Sequence, residues 1–282
     1  MMRGKKLIIN ADDFGLSPGT NQAILASYKA GAVSSTTLMV NMPAVAEAAL
    51  LAHDHPKLGV GLHFNLTCGR PVAERTEVSS LIGPDETFLP RGAAEKAAVA
   101  GRFKPQHLRR ELEAQWQRLL DLGVVPTHID SHQHIHVFPP IFDVVAAFCR
   151  QYDIPLRIPW VWRPSVGLPL KRRLRSWMLS WMLRRNTNRW QGQLRCNAAF
   201  ASIFDLQIAV SEIRLENYLD ILKVEHPEPL ELMVHPAIVD AGHLQLTGIS
   251  ETSNADYRIL ANEPFAAALD RLGYQLVSYA EL

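Results

Sequence analysis

The sequence predicts an α/β fold in which parallel strands form a (β/α) barrel-like sheet. Short apolar or β-rich runs alternate with amphipathic or alanine-rich runs, and this alternation is typical of βα units. Polar clusters follow several of the apolar runs, as they do where parallel strands end at an active site. The length of 282 residues suits one barrel, and we find no internal repeat or linker. We therefore expect a single domain over residues 1–282, with an inserted basic, Trp-rich helical segment at about 160–200.

The first half of the chain is predicted to hold three strands and three helices. Apolar or β-branched runs predict the strands, at residues 5–10, 34–41 and 57–67. Amphipathic or alanine-rich runs predict the helices, at residues 20–31, 43–53 and 106–123. The last of these helices ends on Gly123, which suits a C-cap. Residues 68–104 are rich in Gly and Pro and predict a long loop region.

The second half continues the alternation of strands and helices. The same apolar patterns predict four strands, at residues 126–132, 154–160, 231–236 and 274–282. Helices are expected from the Pro139–Pro140 pair to about Tyr152, over residues 207–225, and over residues 257–272.

The segment "HIDSHQHIHVFP" at residues 128–139 holds four of the 11 histidines of the chain. Four histidines and one aspartate occupy alternate positions, namely His128, Asp130, His132, His134 and His136. On a β-strand these side chains would line one face. Imidazoles are poor packing material and costly when charged and unpaired, so the pattern favours metal binding or catalysis over core packing.

Three further polar clusters follow predicted strands. Asp12 and Asp13 lie in "ADDFG", which is expected to be a loop, His63 lies in "GLHFNL", and His235 lies in "MVHP". Taken singly, paired aspartates are frequent at helix starts and a lone histidine in a strand is often a hydrogen-bonded core residue. In a barrel, however, the carboxyl ends of the strands meet, so we expect all the clusters to converge.

A mononuclear hydrolytic metal site needs about three protein ligands and an open position for water. Asp13, His63 and His132 could supply these ligands from three strand ends. Nitrogen and oxygen donors without sulfur admit Zn²⁺, Mn²⁺, Fe²⁺ or Mg²⁺. Asp12 would then lie beside the metal-bound water as a general base. The other histidines are expected to orient ligands or contact substrate.

The motifs "NADDFGLS", "GLHFNL", "THIDSHQHIHVFP" and "MVHP" together resemble those of the YdjC-like carbohydrate deacetylases. That family includes chitooligosaccharide deacetylases and a branch associated with hopanoid biosynthesis. The resemblance runs in family order from residue 7 to about 236. It implies a (β/α) barrel-like deacetylase domain with one divalent metal ion.

The resemblance also implies a role for each matching residue. Asp13, His63 and His132 match the family's metal ligands. Asp12 matches its base and His235 its acid. The family's usual metal is Mg²⁺, whereas a donor set with two imidazoles favours Zn²⁺ because Mg²⁺ prefers oxygen ligands. We further expect substrate contacts from a set of neighbouring polar residues, namely Asp130, His134, His136 and Arg157.

The predicted activity is metal-dependent hydrolysis of an N-acetylated amino sugar, either an oligosaccharide or a lipid-linked sugar, with release of acetate. Two alternatives remain at the level of sequence. One is a metal-dependent phosphoesterase that uses the same cluster. The other is a non-catalytic sugar- or lipid-binding protein whose metal is structural.

Residues 154–204 differ in charge from the rest of the chain. They contain ten Lys or Arg and no Asp or Glu, whereas the remainder carries 19 basic and 28 acidic residues. Five of the six tryptophans also fall there. Within residues 168–190, helical spacing places six large apolar residues on one side, namely Leu170, Leu174, Trp177, Met178, Trp181 and Met182.

Three interpretations fit this basic segment. Basic flanks with Trp and Leu on one face describe a helix that lies in a membrane interface. A helix packed on the barrel or in a homodimer contact is the second. A nucleic-acid surface is the third, but no binding motif accompanies it, and no nucleic-acid partner is expected.

Cysteine content and the N-terminal sequence predict the compartment. Three cysteines far apart argue against a disulfide framework and a thiolate zinc site. The first residues do not resemble a signal peptide, and no run approaches the roughly 20 apolar residues of a spanning helix. We expect a cytoplasmic protein, with peripheral contact at the inner membrane face under the interface interpretation.

Overall fold

The computed structural model describes residues 4–160, 170–206 and 208–282. Within these ranges the strands form one parallel sheet in the order β4-β3-β2-β1-β6-β5, with β7 paired to the start of β1. The strands are β1 Lys5–Phe14, β2 Ser35–Leu38, β3 Gly59–Phe64, β4 Ile129–Ser131, β5 Ala199–Ser202, β6 Leu230–Val234 and β7 Tyr274–Leu276. The predicted α/β class with a parallel, barrel-like sheet is confirmed.

Helices follow most strands and cover the sheet. They are α1 Pro18–Lys29, α2 Val45–Asp54, α3 Arg91–Val99, α4 Pro105–Asp121, α5 Ile141–Tyr152, α6 Leu170–Arg189, α7 Leu215–Lys223, α8 Ala241–Leu246, α9 Ser250–Leu260 and α10 Glu263–Arg271. Local sequence explains several of their ends. Ser17 caps α1 by accepting from the Thr20 amide, and Pro18 occupies the first turn, where its missing N–H costs nothing.

The central strand β1 accounts for where the site forms. Its residues from Leu7 onward are buried, as expected for a parallel strand covered on both faces. It pairs in parallel with β2 and β6, and β3 pairs in parallel with β4. The carboxyl ends of these strands therefore meet at one end of the sheet, and all the polar clusters lie there.

The sheet approaches closure through a single residue. Leu156 forms parallel bridges to Ile129 of β4 and to Cys196, which lies just before β5. The Leu156 amide donates to Arg195 O and the Arg157 amide to Ile129 O, both at 2.9 Å. The prediction of a strand over 154–160 was therefore wrong in extent, because only these isolated bridges form.

Other predicted boundaries need correction. The predicted loop 68–104 contains α3, and the predicted helix 257–272 is two helices. Pro264 lies in the first turn of α10 and cannot continue α9, because it lacks an amide proton. Only 274–276 of the predicted last strand is extended, and a 3-10 turn follows at Tyr279–Glu281. Residues 207–225 were predicted as one helix, but α7 begins only at Leu215, and Gln207 lies outside the described residues.

Candidate active site

Asp13, His63 and His132 converge on one point. Asp13 Oδ1 lies 3.2 Å from His63 Nε2 and 2.9 Å from His132 Nδ1. All three side chains are buried, and one potential ligand atom from each lies within 4.8 Å of the others. The residues come from the ends of β1 and β3 and from the position directly after β4. This geometry could hold one divalent cation with two nitrogen donors and one oxygen donor.

The bonding of His63 leaves one of its nitrogens directed at Asp13. Its Nδ1 lies 2.6 Å from Asp130 Oδ1, where it donates the ring proton. The remaining Nε2 is buried and makes no hydrogen bond within the described part of the chain. A histidine that donates one N–H to a carboxylate and keeps the other nitrogen free has the arrangement found in metal-ligating histidines. The residues therefore fit a metal ion.

Charge also fits a cation here. Burial opposes the imidazolium of His63, but the carboxylates of Asp130, Asp13 and Asp12 outweigh burial and raise the pKa of His63 to about 10. The same carboxylates would favour a bound cation, which would take the place of a second ring proton, since metal ligands must be deprotonated.

The backbone at the end of β1 brings two neighbouring aspartates to the same cavity. Successive side chains of a regular strand face opposite sides. Asp13 instead has a φ of 68°, and the register with β2 shifts between Ala11 and Phe14. Asp12 and Asp13 consequently both line the cavity. A left-handed aspartate is uncommon but tolerated, and such backbone cost is concentrated at functional sites.

The histidine segment does not form the predicted strand face. β4 ends at Ser131, and a 3-10 segment covers His132–Val137, with positive φ at Gln133 and His134. Ser131 Oγ accepts from the His136 amide at 3.0 Å and closes this turn. The alternation that predicted a shared face is therefore lost after the strand, and the histidines point to different surroundings.

His128 lies in the core, away from the site. Its ring stacks on Tyr279 at 4.0 Å, and its Nε2 lies 3.1 Å from Asn10 Oδ1. A Cβ on Gly61 would come within 2.5 Å of the His128 ring, so the glycine makes room for it. Burial, together with the Arg157 charge, holds the pKa of His128 well below its usual value.

A buried arginine organises the carboxylates behind the metal ligands. Arg157 is fully buried and donates twice to Asp12, with both distances 2.7 Å. It also pairs with Asp130 at 2.6 Å and with Glu231 at 2.6 Å. Tyr279 donates its hydroxyl proton to the other Glu231 oxygen. Burial raises the pKa of Glu231 to about 7, against the opposing effect of Arg157.

This network leaves an excess of negative charge. Burial opposes ionisation of Asp12, but the charge and hydrogen bonds of Arg157 outweigh it and hold the Asp12 pKa far below its usual value. Asp13 also has a strongly lowered pKa, because His132 and His63 outweigh the effect of burial. Buried charges need compensation, and one guanidinium does not balance the formal charges of Asp12, Asp13 and Asp130. A divalent cation would supply the difference.

His235 lies beside Asp12 at the cavity. Its Nε2 is 3.9 Å from Asp12 Oδ2, and it lines the cavity just after β6. Its backbone amide donates to Asp256 Oδ2 at 2.7 Å, and the other Asp256 oxygen accepts from the Tyr218 hydroxyl. Phe204 packs edge-on against the ring at 5.7 Å. The imidazole is thus held beside Asp12 at the cavity surface.

A cavity of about 680 Å³ opens over these residues. Its polar end is formed by Asp12, Asp13, His132, His134 and His235. The apolar part of its lining includes Phe138, Trp160, Leu179, Leu183, Phe200 and Phe204. Small-molecule sites commonly combine such a volume and apolar lining with a few convergent polar groups.

The residues predicted to contact substrate separate into two groups. His134 lines the cavity and packs edge-on to Phe200 at 5.5 Å. Asp130, His136 and Arg157 are fully buried and are absent from the cavity wall, which differs from the predicted direct contact. His136 lies 3.0 Å from Arg157 O through Nε2, and burial with the Arg157 charge lowers its pKa to about 3. These three residues lie beneath the cavity surface and contact one another or Asp12.

Several members of the site were not found by sequence reasoning. Glu231 interrupts the apolar run "LELMV", and a glutamate inside a buried strand is a signal that could have been used. Tyr279, Tyr218 and Asp256 carried no comparable signal, because their roles depend on long-range contacts. Thr37 Oγ1, which donates to Asp130 at 3.0 Å, lies in a β-rich run where threonine is ordinary.

Every helix within the described ranges is too short or too polar to span a bilayer. The longest helix, α6, carries seven basic residues among its 20.

Comparison with known proteins relates this site to a family. The model of the YdjC-like protein family matches residues 6–271. A carbohydrate deacetylase of Geobacillus stearothermophilus is 34% identical over 275 residues, which cover 97% of this chain and 96% of that protein. A chitooligosaccharide deacetylase of Proteus mirabilis is 34% identical over 284 residues, with 98% of each chain covered.

A solved structure supports the same assignment. The crystal structure of a proposed cellobiose-phosphate cleavage protein from Enterococcus faecalis V583 superposes with a TM-score of 0.79 and 26% identity, covering 99% of each chain. An uncharacterised protein from Agrobacterium tumefaciens C58, at 12% identity and a TM-score of 0.52, shares the fold. The motifs around Asp13, His63, His132 and His235 all fall inside the matched region, and the chain belongs to the YdjC-like family.

Proposed function

We propose that the protein removes the N-acetyl group of an amino sugar by metal-dependent hydrolysis and releases acetate. The observation that carries this proposal is the convergence of Asp13, His63 and His132 next to Asp12 and His235 at one end of the cavity. The relatives named carbohydrate deacetylase and chitooligosaccharide deacetylase, each matched over nearly the full chain, support it.

Asp13, His63 and His132 would hold one divalent cation. When bound, such an ion polarises an acetyl carbonyl and lowers the pKa of bound water. Two imidazoles and one carboxylate favour Zn²⁺ by ligand chemistry, while family resemblance favours Mg²⁺. Asp130 accepts the Nδ1 proton of His63 and so keeps Nε2 available, and the Asp130 carboxylate is itself held by Thr37 and Arg157.

Asp12 is placed to accept a proton from the attacking water. Its strongly lowered pKa keeps it ionised at neutral pH. Arg157 and Asn10 together donate three hydrogen bonds to it, which leaves about one of its four acceptor positions for the cavity. Arg157 therefore lowers the basicity of Asp12 but fixes its orientation, and precise placement is a large part of catalysis.

His235 is placed to donate a proton to the departing amine. It lines the cavity with its Nε2 3.9 Å from Asp12 Oδ2, and its imidazole Nδ1 makes no hydrogen bond within the described ranges. The amine is a poor leaving group until it is protonated, so a positioned acid is needed. His134, Phe200 and Phe204 line the adjacent wall, where we place the sugar ring.

The test is acetate release from a panel of N-acetylglucosamine compounds, soluble and lipid-linked, with Zn²⁺, Mg²⁺ and Mn²⁺ supplied separately. We expect acetate and free amine in equal amounts, with loss of activity on chelation and recovery on adding metal. Phosphate release from sugar phosphates without acetate release would instead identify a phosphoesterase. Metal-dependent sugar binding without any turnover would identify a binding protein.

A further inference from the structure

Helix α6 has one face that packs on the protein. Met182 and Leu183 are 8% and 3% exposed, and the Asn186 side-chain amide donates to Val137 O at 3.0 Å. Leu179 and Leu183 also form part of the cavity wall. The contacts of this face account for the position of the helix against the barrel.

A second face of α6 is apolar and exposed. Its members recur at three- and four-residue spacing, which places them side by side, and they are Leu170, Leu174, Trp177, Met178 and Trp181. Trp177 is 69% exposed and Trp181 50% exposed. Met182, which the sequence grouped with them, belongs to the packed face. The packed face already holds the helix against the protein, so the exposed face is not needed for that purpose. Contiguous exposed apolar patches mark interaction sites, and the exposed face is such a patch.

The same helix is strongly basic. Its sequence contains seven Lys or Arg and no Asp or Glu. Arg173, Arg184 and Arg185 are exposed, and the Arg185 guanidinium lies over the Trp181 ring at 5.5 Å. Arg189 differs from these three, because it pairs with Asp143 at 2.9 Å. An apolar stripe flanked by arginines is complementary to a surface with an apolar layer beneath negative charge.

We propose that the exposed face of α6 docks on the surface of a membrane that contains anionic lipids. Tryptophan and leucine side chains suit the boundary between headgroups and acyl chains, and arginines suit anionic headgroups. A second copy of the chain fits this face less well. A two-fold contact would place the arginines of the two copies near one another, where like charges repel.

Docking in this way has a consequence for the cavity. Because Leu179 and Leu183 form part of its wall, the cavity would lie close to the headgroup layer when Trp177 and Trp181 are inserted. Docking is independent of the metal ligands, so it stands or falls separately from the proposed deacetylation.

The experiment is cosedimentation of the full-length protein with vesicles of phosphatidylcholine alone or mixed with phosphatidylglycerol. We expect binding to the anionic vesicles at low salt and weaker binding at high salt, since salt screens exposed charges. Trp177→Ala/Trp181→Ala should lower the partition coefficient at least about tenfold, because interfacial binding scales with inserted apolar area. The matched control Leu50→Ala/Val125→Ala removes two other apolar side chains that are at least half exposed and lie outside α6, and it should bind as wild type does.

Two further variants, each of which removes two positive charges, test the role of the arginines. Arg184→Gln/Arg185→Gln should weaken binding to anionic vesicles, whereas Arg102→Gln/Arg118→Gln, which removes exposed charges outside α6, should not. Circular dichroism and acetate release from a soluble sugar confirm that each variant is folded. Absence of wild-type binding at low salt, or equal binding by the tryptophan variant, overturns the proposal. A concentration-dependent dimer that the tryptophan variant abolishes also overturns it and assigns the face to a second copy.

Discussion

The polar end of the cavity and the exposed face of α6 differ in charge, in polarity and in solvent exposure. At the polar end Asp12 and Asp13 are buried, and Asp12 accepts two hydrogen bonds from Arg157. The α6 face is basic and apolar, and large side chains such as Trp177 are exposed. The difference teaches that the chemistry and the docking of this protein should be separable, because Trp177 and Trp181 are exposed and do not line the cavity.

The largest expected effect is loss of the metal ligands. His63→Ala and His132→Ala should each remove the metal and bring acetate release below detection, because two remaining ligands do not define a stable site. Vesicle binding should stay at the wild-type level. Elemental analysis and the acetate assay measure the first two outcomes. Stoichiometric metal in either variant, with near-normal turnover, would show that the ligand set is wrong.

The two neighbouring aspartates should differ in what they lose. Asp13→Asn should lose metal together with activity. Asp12→Asn should keep the metal but lose about 10²- to 10⁴-fold in kcat, the range expected for a general base. Metal content measured beside the rate decides between them. If both variants lose metal equally, Asp12 is itself a ligand and the proposed division of roles fails.

Arg157 tests how far the buried network supports the fold. Arg157→Ala leaves Asp12, Asp130 and Glu231 without their cation and should lower the free energy of unfolding by about 3–5 kcal/mol. Arg110→Ala is the matched control. Its ion pair with Glu77 is exposed and should contribute far less than the buried network. Denaturant unfolding compares the two, and an equal loss in both would contradict the organising role of Arg157.

The smallest effect is expected from the tryptophans of α6. Neither Trp177 nor Trp181 lines the cavity, so Trp177→Ala/Trp181→Ala should leave acetate release from a soluble sugar within about twofold of wild type. A large fall in kcat on the soluble sugar, with the fold intact, would show that the two regions are coupled and that the separation is wrong.

The sequence predicted local features of the fold better than its long-range contacts. β1, β6 and α4 follow directly from apolar runs and helical spacing, which are local signals. The closure through Leu156 depends on bridges to residues 27 and 40 positions away along the chain, and nothing in the run "IPLRIPW" announces them. β5 and α8 were missed because they are short and lack strong periodicity.

In the candidate site, too, local signals were predicted better than long-range contacts. Residue type and position after strands were enough to predict Asp13, His63 and His132, and the structure brings these three together. The strand face of histidines was wrong because Ser131 closes a 3-10 turn, which alternation cannot reveal. Arg157 was predicted to contact substrate, and its complete burial follows only from three carboxylates that converge in space.

The central claim is that one cation, held by Asp13, His63 and His132, is required for removal of an N-acetyl group. Titration of the metal-stripped protein with Zn²⁺ or Mg²⁺, with bound metal and acetate release from an N-acetylglucosamine oligosaccharide followed together, tests it most directly. We predict that activity rises in proportion to bound metal and saturates at one ion per chain, and that His132→Ala shows neither binding nor activity. Full acetate release by the metal-stripped protein would contradict the claim.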